Sequence, residues 1–501
     1  MLTLIRRELL DNLMTFRFAV AVFIMLLLVV ANTAVLIKDY ERRLAGHKTE
    51  VQKSREYMLE GKTYSVAELN IDRPPNPLSI FNTGLDKRLG NEIWVYYGHV
   101  PTLWDAEKHS SQNPFMNILS SIDIVFIFEG VLSLLALIFA YDTLAGEYER
   151  GTLRLVLTHS VSRGHILLAK YISAMVCLLV PLLMSLILAM FLLTTSPSFS
   201  LSTPDFLRIG GIMVASIAYL SAFYLIGMLI SAMTRRTSTA LMLSMFVWGF
   251  LVLVYPNMIV AVIQPSNPPE ERRASVHNHI KQIWEEFERE RKHFLATDTH
   301  LEGDPYGNMR WRGGYNFEHF QDKASVLQYY YYAGAEIDGF HEEPESEALH
   351  VQNYHRFLVP LIIDTAEHTW RVRKPVLEEL FILPATVDRS WLRLTPTGIY
   401  DIATQALAGT DLNGMQDFFT AVQQHRQSVI DYYYDKNAFA SRQWFSSDKE
   451  VVDWSALPQF SFQRSDISIN VKRALPDLFL LLTINIVLFI GIFLIFVRRE
   501  V

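Results

Sequence analysis

Apolar residues in this chain do not follow the short rhythms of a soluble domain. They gather into six long runs, near residues 18–37, 118–141, 166–193, 207–233, 240–263 and 475–497. A helix rising about 1.5 Å per residue needs about 20 apolar residues to cross roughly 30 Å of hydrocarbon. Each run therefore predicts a transmembrane helix. Ahead of the first, Leu2, Ile5, Leu9, Leu10 and Leu13 recur at helical spacing, which predicts an amphipathic helix over residues 1–14 lying on the membrane surface. A cleaved leader fits less well. The first run is long, Ala31 to Ala34 is a poor cleavage site, and Arg6-Arg7 is only a faint likeness of a twin-arginine signal.

The polar residues are concentrated in two segments, 38–117 and 264–474. The first opens with a charged stretch over 38–60 that extends the first span as a helix, and then turns at Arg73-Pro74-Pro75-Asn76-Pro77. The second opens on Gln264-Pro265-Ser266-Asn267-Pro268-Pro269, which ends the fifth span. Val276, Ile280, Ile283, Phe287 and Phe294 then line one face of a charged helix. That stripe needs a partner, and the first polar segment is the candidate. Helical periodicity returns over 347–371 and 414–434, with irregular Gly- and aromatic-rich connections around 306–332. Gly409-Thr410-Asp411 reads as a helix stop followed by an N-cap.

The expected fold class is thus an all-α polytopic membrane protein. Its parts are an amphipathic helix and first span (1–37), a first extracytoplasmic segment (38–117) and spans two to five (118–263) around a cytoplasmic loop (142–165). A large, mainly helical extracytoplasmic domain (264–474) and a last span with its tail (475–501) complete the chain.

Composition agrees with this reading. Half of the 501 residues are hydrophobic and 19% are charged, against about a quarter charged in soluble proteins. Arg6, Arg7 and Arg17, then Arg150, Arg154, Arg163 and Lys170, then Arg235 and Arg236, and finally Arg498 and Arg499 fall on one side of six spans. The positive-inside rule makes that side, and both termini, cytoplasmic. Lys472 and Arg473 break the pattern but adjoin a long outer segment, where the rule is weak. The net charge of −7 resides in the outer segments and gives no sign of nucleic-acid binding. Cys177, the single cysteine, lies inside the third span, so the outer domain is held by packing alone.

The loop between the second and third spans is the most distinctive part of the chain. Gly146-Glu147, Glu149-Arg150-Gly151-Thr152-Leu153, Ser160-Val161-Ser162-Arg163 and Leu168-Ala169-Lys170 form an acidic, Gly-broken turn, a short helix and a basic stop. Gly151 permits a sharp turn, Thr152 can cap the helix that follows, and Leu155 and Leu157 give it an apolar surface. This stretch resembles the intracellular loop of ABC-2 type permeases. The turn from Thr234 to Ala240, followed by Trp248, is similar to that family's junction between the fourth and fifth spans. Leu383-Pro384-Ala385, Thr395-Pro396, Ala408-Gly409-Thr410-Asp411, Phe418 and Gln424-His425-Arg426 resemble a subgroup with a long periplasmic insertion before the last span.

The resemblance implies a permease subunit of an ATP-driven, exporter-class transporter in the bacterial inner membrane. It implies a dimer with a second permease copy or a homologue, working with two copies of a separate ABC ATPase that bind ATP and Mg. Glu147, Glu149, Arg150, Gly151, Thr152, Leu155, Leu157 and Arg163 would be the ATPase-coupling residues, with charge setting register more than affinity. No nucleotide site is legible in this chain. Gly61-Lys62-Thr63 has Glu56 where a phosphate loop needs its first glycine, and it falls on the outer side. The sequence thus supplies no cofactor site and no catalytic set.

Polar residues inside the spans have two readings each. Glu129 is either part of a translocation path or cation relay, or a protonated or hydrogen-bonded residue facing Ser133 or a neighbouring helix. Asn485 is either a path residue or, as its type favours, helix–helix glue. Asp123 is expected near the outer interface, solvated. Gly211, Ala215, Ala218 and Ala222 mark a close-packing face, within the subunit or across a dimer. Thirteen of the 15 histidines fall in the outer segments, but His277-x-His279 places its rings on opposite helix faces and no pair has ligand spacing. The rival to transport is a mechanotransmission or sensor protein, in which hydrolysis moves the outer domain against a periplasmic or envelope partner and nothing crosses.

Overall fold

Lys38 begins a charged stretch, yet the helix that starts at Phe16 continues unbroken to Glu60 in the computed structural model. The structure describes residues 2–13, 16–66, 69–87, 90–102, 105, 122–151, 163–262, 270–298 and 345–498. Six helices are long and apolar enough to cross a membrane: Phe18–Glu60, Ile124–Glu149, Arg163–Thr194, Thr203–Met233, Thr237–Ile259 and Ile467–Val497. The protein is an all-α polytopic membrane protein. The fourth span is the hub, packed against the second and sixth. Small residues let it approach them: a Cβ on Gly227 would stand 2.5 Å from that of Ala140. The face of Gly211, Ala215 and Ala218 packs within the chain, against Leu407 and Asn485.

Helix α1 (Leu2–Leu13) lies along the third span. The described ends of the 142–165 loop, the 234–237 turn and the last turn of the sixth span share one face of the bundle with it. Glu8 reaches Lys170, Glu149 reaches Thr237, and Arg163 reaches Phe496 and Val497.

On the opposite face, the first polar segment holds a two-stranded antiparallel sheet, β1 (Leu69–Asp72) and β2 (Glu92–Val95), with Leu69 opposite Val95. The sequence reading lacked this sheet, because strands of four residues give too little alternation to detect. Asp86 is fully buried between Arg43, on the extended first helix, and Arg73, each 2.7 Å away. Burial opposes its ionisation, but the two guanidiniums outweigh that and hold the carboxyl below its usual range.

In the large domain, α2 (Glu270–Thr297) buries Ile280, Trp284 and Phe287. Its direct partner is α3 (Glu345–Leu377), not the first segment as expected. Tyr64, Tyr96 and Tyr97 of the first segment enter the same core around the fully buried Trp444. Helices α4 (Leu383–Leu392) and α5 (Pro396–Ala408) follow, then α6 (Leu412–Asp435). Between α5 and α6, Gly409 adopts φ +68° as the helix stop and Asp411 caps the next helix through Gly414 N. Trp454 Nε1 donates to the Gly61 carbonyl (2.7 Å), fastening the domain to the tip of the first helix. The region around 306–332 lies outside the described residues.

One boundary differs from expectation. The second span starts at Ile124, and Asp123 is its N-cap, accepting from Phe126 N and Thr83 N at 2.8 Å each. It is 7% exposed, rather than solvated. The two amide donors take the place of water. Arg473, the exception to the charge pattern, is bonded to Asp417 of α6 at 2.9 Å.

Candidate functional site

The face that carries α1 and the 142–165 loop holds most of the residues singled out from sequence. The second span ends by kinking at Tyr141, and a serine secures the kink. Ser231 Oγ accepts from Leu144 N (3.0 Å) and Ala145 N (2.9 Å) and donates to the Tyr141 carbonyl (2.7 Å). One hydroxyl of the fourth span thus satisfies three backbone groups that the bend would leave unpaired. A short helix, Ala145–Glu149, follows. A side chain at Gly146 would collide with the Asp142 carboxylate. Gly151 ends the helix with φ +71°, a conformation that glycine adopts without strain.

The charged residues of this loop face the bundle's own elements. Glu147 meets Lys170 of the third span at 2.7 Å, and Lys170 also holds Glu8 of α1 at 3.0 Å. Lys170 is 5% exposed. Glu149 Oε2 accepts from Thr237 N (2.9 Å) and Thr237 Oγ1 (2.7 Å), satisfying a backbone donor at the start of the fifth span. Arg150 folds back onto the Gly146 carbonyl (3.0 Å) and lies 3.6 Å from Asp142, largely exposed. Arg163 donates to the Phe496 and Val497 carbonyls at 3.2 and 2.9 Å, capping the sixth span. Arg235 lies 5.5 Å from the centre of the Tyr148 ring. Thr152, Leu155 and Leu157 lie outside the described residues.

The structure therefore brings Glu147, Glu149, Arg150, Gly151 and Arg163 together as the two ends of one loop. The third, fifth and sixth spans each hold one of them. Sequence reasoning missed Glu8, Ser231 and Thr237. A lysine seven residues into an apolar helix, and a surface helix that carries two acids, Glu8 and Asp11, were the available signals for the first contact. Nothing in the sequence marks Ser231.

A second polar group lies deeper in the bundle. Phe128–Leu132 forms a π-helical turn in the second span, and Gly249–Val254 forms another in the fifth. Such turns free backbone carbonyls. The Glu129 carbonyl takes Tyr219 OH (3.0 Å) and Ser133 Oγ, and Ser133 Oγ accepts from Trp248 Nε1 (2.9 Å). Tyr219 stacks on Tyr400 with centroids 4.4 Å apart, and Tyr400 OH bonds Ser216 at 2.7 Å. The Glu129 side chain is partly buried beside this group. Asn485 Nδ2 donates to the Ala218 and Leu481 carbonyls at 3.0 and 2.8 Å, a link between the sixth and fourth spans. Among the described residues no group of three or more His, Cys, Asp or Glu is disposed to hold a metal ion.

Comparison with known proteins fits this architecture. A family model described as "ABC-2 family transporter protein" matches residues 2–295, and one described as "Domain of unknown function (DUF3526)" matches 383–463. Two curated relatives carry the name "Probable ABC transporter permease protein NosY". The protein from Stutzerimonas stutzeri is 29% identical over 164 residues, 32% of this chain and 58% of its own length. That from Pseudomonas aeruginosa is 29% identical over 136 residues, 26% of this chain and 48% of its own. The chain thus spans about half the length of these relatives. It belongs to the ABC-2 transporter family, as a multi-pass membrane subunit.

Proposed function

We propose that this chain is the non-catalytic permease subunit of an ATP-driven exporter in a bacterial inner membrane, with α1, the 142–165 loop and both termini in the cytoplasm. Two copies of a separate ATPase, which bind ATP and Mg, would dock on that face beneath a dimer of this chain, or a pair with a homologous permease. The observation that carries the reading is the anchoring of the loop. Glu147–Lys170, Glu149–Thr237 and Arg163–Val497 tie its two ends to three different spans. A push on the loop between Thr152 and Ser162 would reach all three. Its Leu155 and Leu157 are the apolar anchors that an ATPase groove would take. Glu129 lies on the candidate path beside Tyr219 and Trp248. Asn485 serves it as a packing link rather than a ligand.

Replacing Leu155 and Leu157 with Asp tests the coupling role. Truncating a well-packed interface anchor costs about 2 kcal/mol or more, roughly 30-fold in affinity. The ATPase should be lost from the purified complex while the permease stays folded in the membrane. Copurification at wild-type yield with normal coupled hydrolysis would remove the loop from this role.

One observation favours a second reading, mechanotransmission to an envelope partner. The large extramembrane domain is bolted to the bundle, not merely tethered. Arg464 reaches Asp205 of the fourth span at 3.0 Å, and Arg393 grips Asp477 of the sixth at 2.6 and 3.1 Å. Motion of the spans would then move the domain. Substrate-dependent hydrolysis in reconstituted vesicles distinguishes transport from this alternative.

A further inference from the structure

The two π-helical turns, Phe128–Leu132 in the second span and Gly249–Val254 in the fifth, each contain a glycine, Gly130 and Gly249. A Cβ on either would meet no heavy atom within 4 Å among the described residues. Packing therefore does not call for glycine at these two places. Its effect there is to lower the cost of leaving helical geometry. Carbonyls freed by the turns are held by side chains instead of the backbone ladder. The Gly130 carbonyl takes Ser133 Oγ at 3.2 Å, and the Leu253 carbonyl takes Asn257 Nδ2 at 2.7 Å.

The turns are also linked to each other. The two spans run in opposite directions, so Ser133 and Trp248 each sit on the loop side of their own turn. Trp248 Nε1 donates to Ser133 Oγ at 2.9 Å. Either side of the turns, the spans are gripped by different bodies. Toward the large domain, Asp123 accepts from Thr83 N (2.8 Å), Val125 N donates to the Phe81 carbonyl (3.0 Å) and Tyr255 OH donates to the Trp391 carbonyl (2.8 Å). Toward the loop, Ser231 secures the bend after Tyr141, and Glu149 joins the end of the second span to Thr237 of the fifth. A helix held at its two ends by bodies that move relative to each other bends at its weakest turn. Sharp kinks in helices concentrate at π-turns and at glycines.

We propose that the two π-turns form a paired hinge. At it, Ile124–Ile127 and Tyr255–Val262 follow the extramembrane domain, while the rest of each span follows the loop face. The Trp248–Ser133 bond makes the two bends concerted. Tyr255–Val262 extends about 12 Å beyond its turn, so a bend of about 20° moves Val262 by about 4 Å. The hinge serves transport and mechanotransmission alike, because both need motion to pass between the two faces.

The test is double electron–electron resonance on the full chain in phosphatidylethanolamine–phosphatidylglycerol nanodiscs. Neither ATPase nor substrate is present, so the result is independent of a permease role. Nitroxides at Phe191→Cys and Val262→Cys, in a Cys177→Ala background diluted with unlabelled chain, span the domain-side ends of the third and fifth helices. Leu168→Cys with Met242→Cys is the control across their loop-side ends. The 191–262 pair should show two populations about 4 Å apart, and the control pair one. Gly130→Ala with Gly249→Ala should merge the two into one. Trp248→Phe, which cuts the link and leaves both turns, should broaden the 191–262 distribution. A single narrow population at 191–262 in the wild-type background would overturn the hinge. So would two populations that persist in the glycine variants, or equal spread in the control pair. An unchanged distribution in Trp248→Phe would remove the concerted link.

Discussion

The Lys170 ammonium stands between the Glu147 and Glu8 carboxylates, 2.7 Å from the first and 3.0 Å from the second. One cation thus fixes the short helix before Gly151 and the surface helix α1 to the same point of the third span. Removing it leaves two carboxylates facing each other with little water to solvate them.

Lys170→Met should therefore destabilise the protein, toward the low end of about 3–5 kcal/mol because Glu8 can turn toward water. The purified protein should melt earlier, and protease should cut within residues 1–14 faster than in wild type. Lys170→Arg should retain most of the stability. Unchanged melting and proteolysis in the Met variant would mean that α1 is held by its apolar face alone.

Gly227 and Ala140 set how closely the second and fourth spans approach. Gly227→Ala adds a methyl where 2.5 Å is free, and overpacking of this kind costs about 1–3 kcal/mol. Ala140→Gly in the same chain removes the opposing methyl and should recover most of the loss. A double-mutant cycle in thermal unfolding measures the coupling; simple additivity would contradict it.

His355 supplies a pH dependence. It is fully buried against Phe445 and Trp444, and neither ring nitrogen has a hydrogen-bond partner among the described residues. Burial pushes its pKa down to about 3. The unfolded chain binds this proton from about pH 6.5 downward and the folded one does not, so stability falls as pH drops through that window, by about 1.4 kcal/mol per unit at most. His355→Phe should flatten the melting profile between pH 6.5 and 4.5. Asp105 acts lower. Burial opposes its charge, but His99, Arg373 and Thr102 hold it well below the carboxylate range. Its contribution, present above about pH 4, is lost only as pH falls further. An unaltered slope in the His355 variant would assign the acid sensitivity to other groups.

Asp205 joins the membrane bundle to the extramembrane domain. It accepts from Ser202 N at 3.0 Å and Ser202 Oγ at 2.7 Å, and pairs with Arg208 at 2.9 Å and Arg464 at 3.0 Å. Asp205→Asn and Arg464→Met should each lower the melting temperature, and the double variant should lose less than the sum, since both break one contact. Full additivity would show that Arg464 draws its role from Asn76, 3.2 Å away, instead.

The spans were legible because bilayer thickness imposes a length that few other constraints imitate. The continuation of the first helix to Glu60 and the Gly409–Asp411 junction were legible for local reasons, helical charge patterning and cap chemistry. The β1–β2 sheet and the α2–α3 pairing depend on contacts distant in sequence, which periodicity does not report. The loop was marked by its glycines and charges, but the direction of those charges was not. Glu147, Glu149 and Arg163 turn toward Lys170, Thr237 and Val497, and only a folded bundle brings those partners within reach.

The first helix has a mechanical consequence. Forty-five residues at about 1.5 Å each give a rod of roughly 65 Å, about half of which stands clear of a bilayer. Rotating such a rod by about 10° within the membrane sweeps its free tip sideways by about 6 Å over that clear length. Trp454 grips the Gly61 carbonyl at that tip. A displacement too small to disturb side-chain packing at Val29 or Leu36 is thereby magnified where the tip meets the aromatic core around Tyr64 and Trp454. The helix acts as a lever with its fulcrum at the lipid surface.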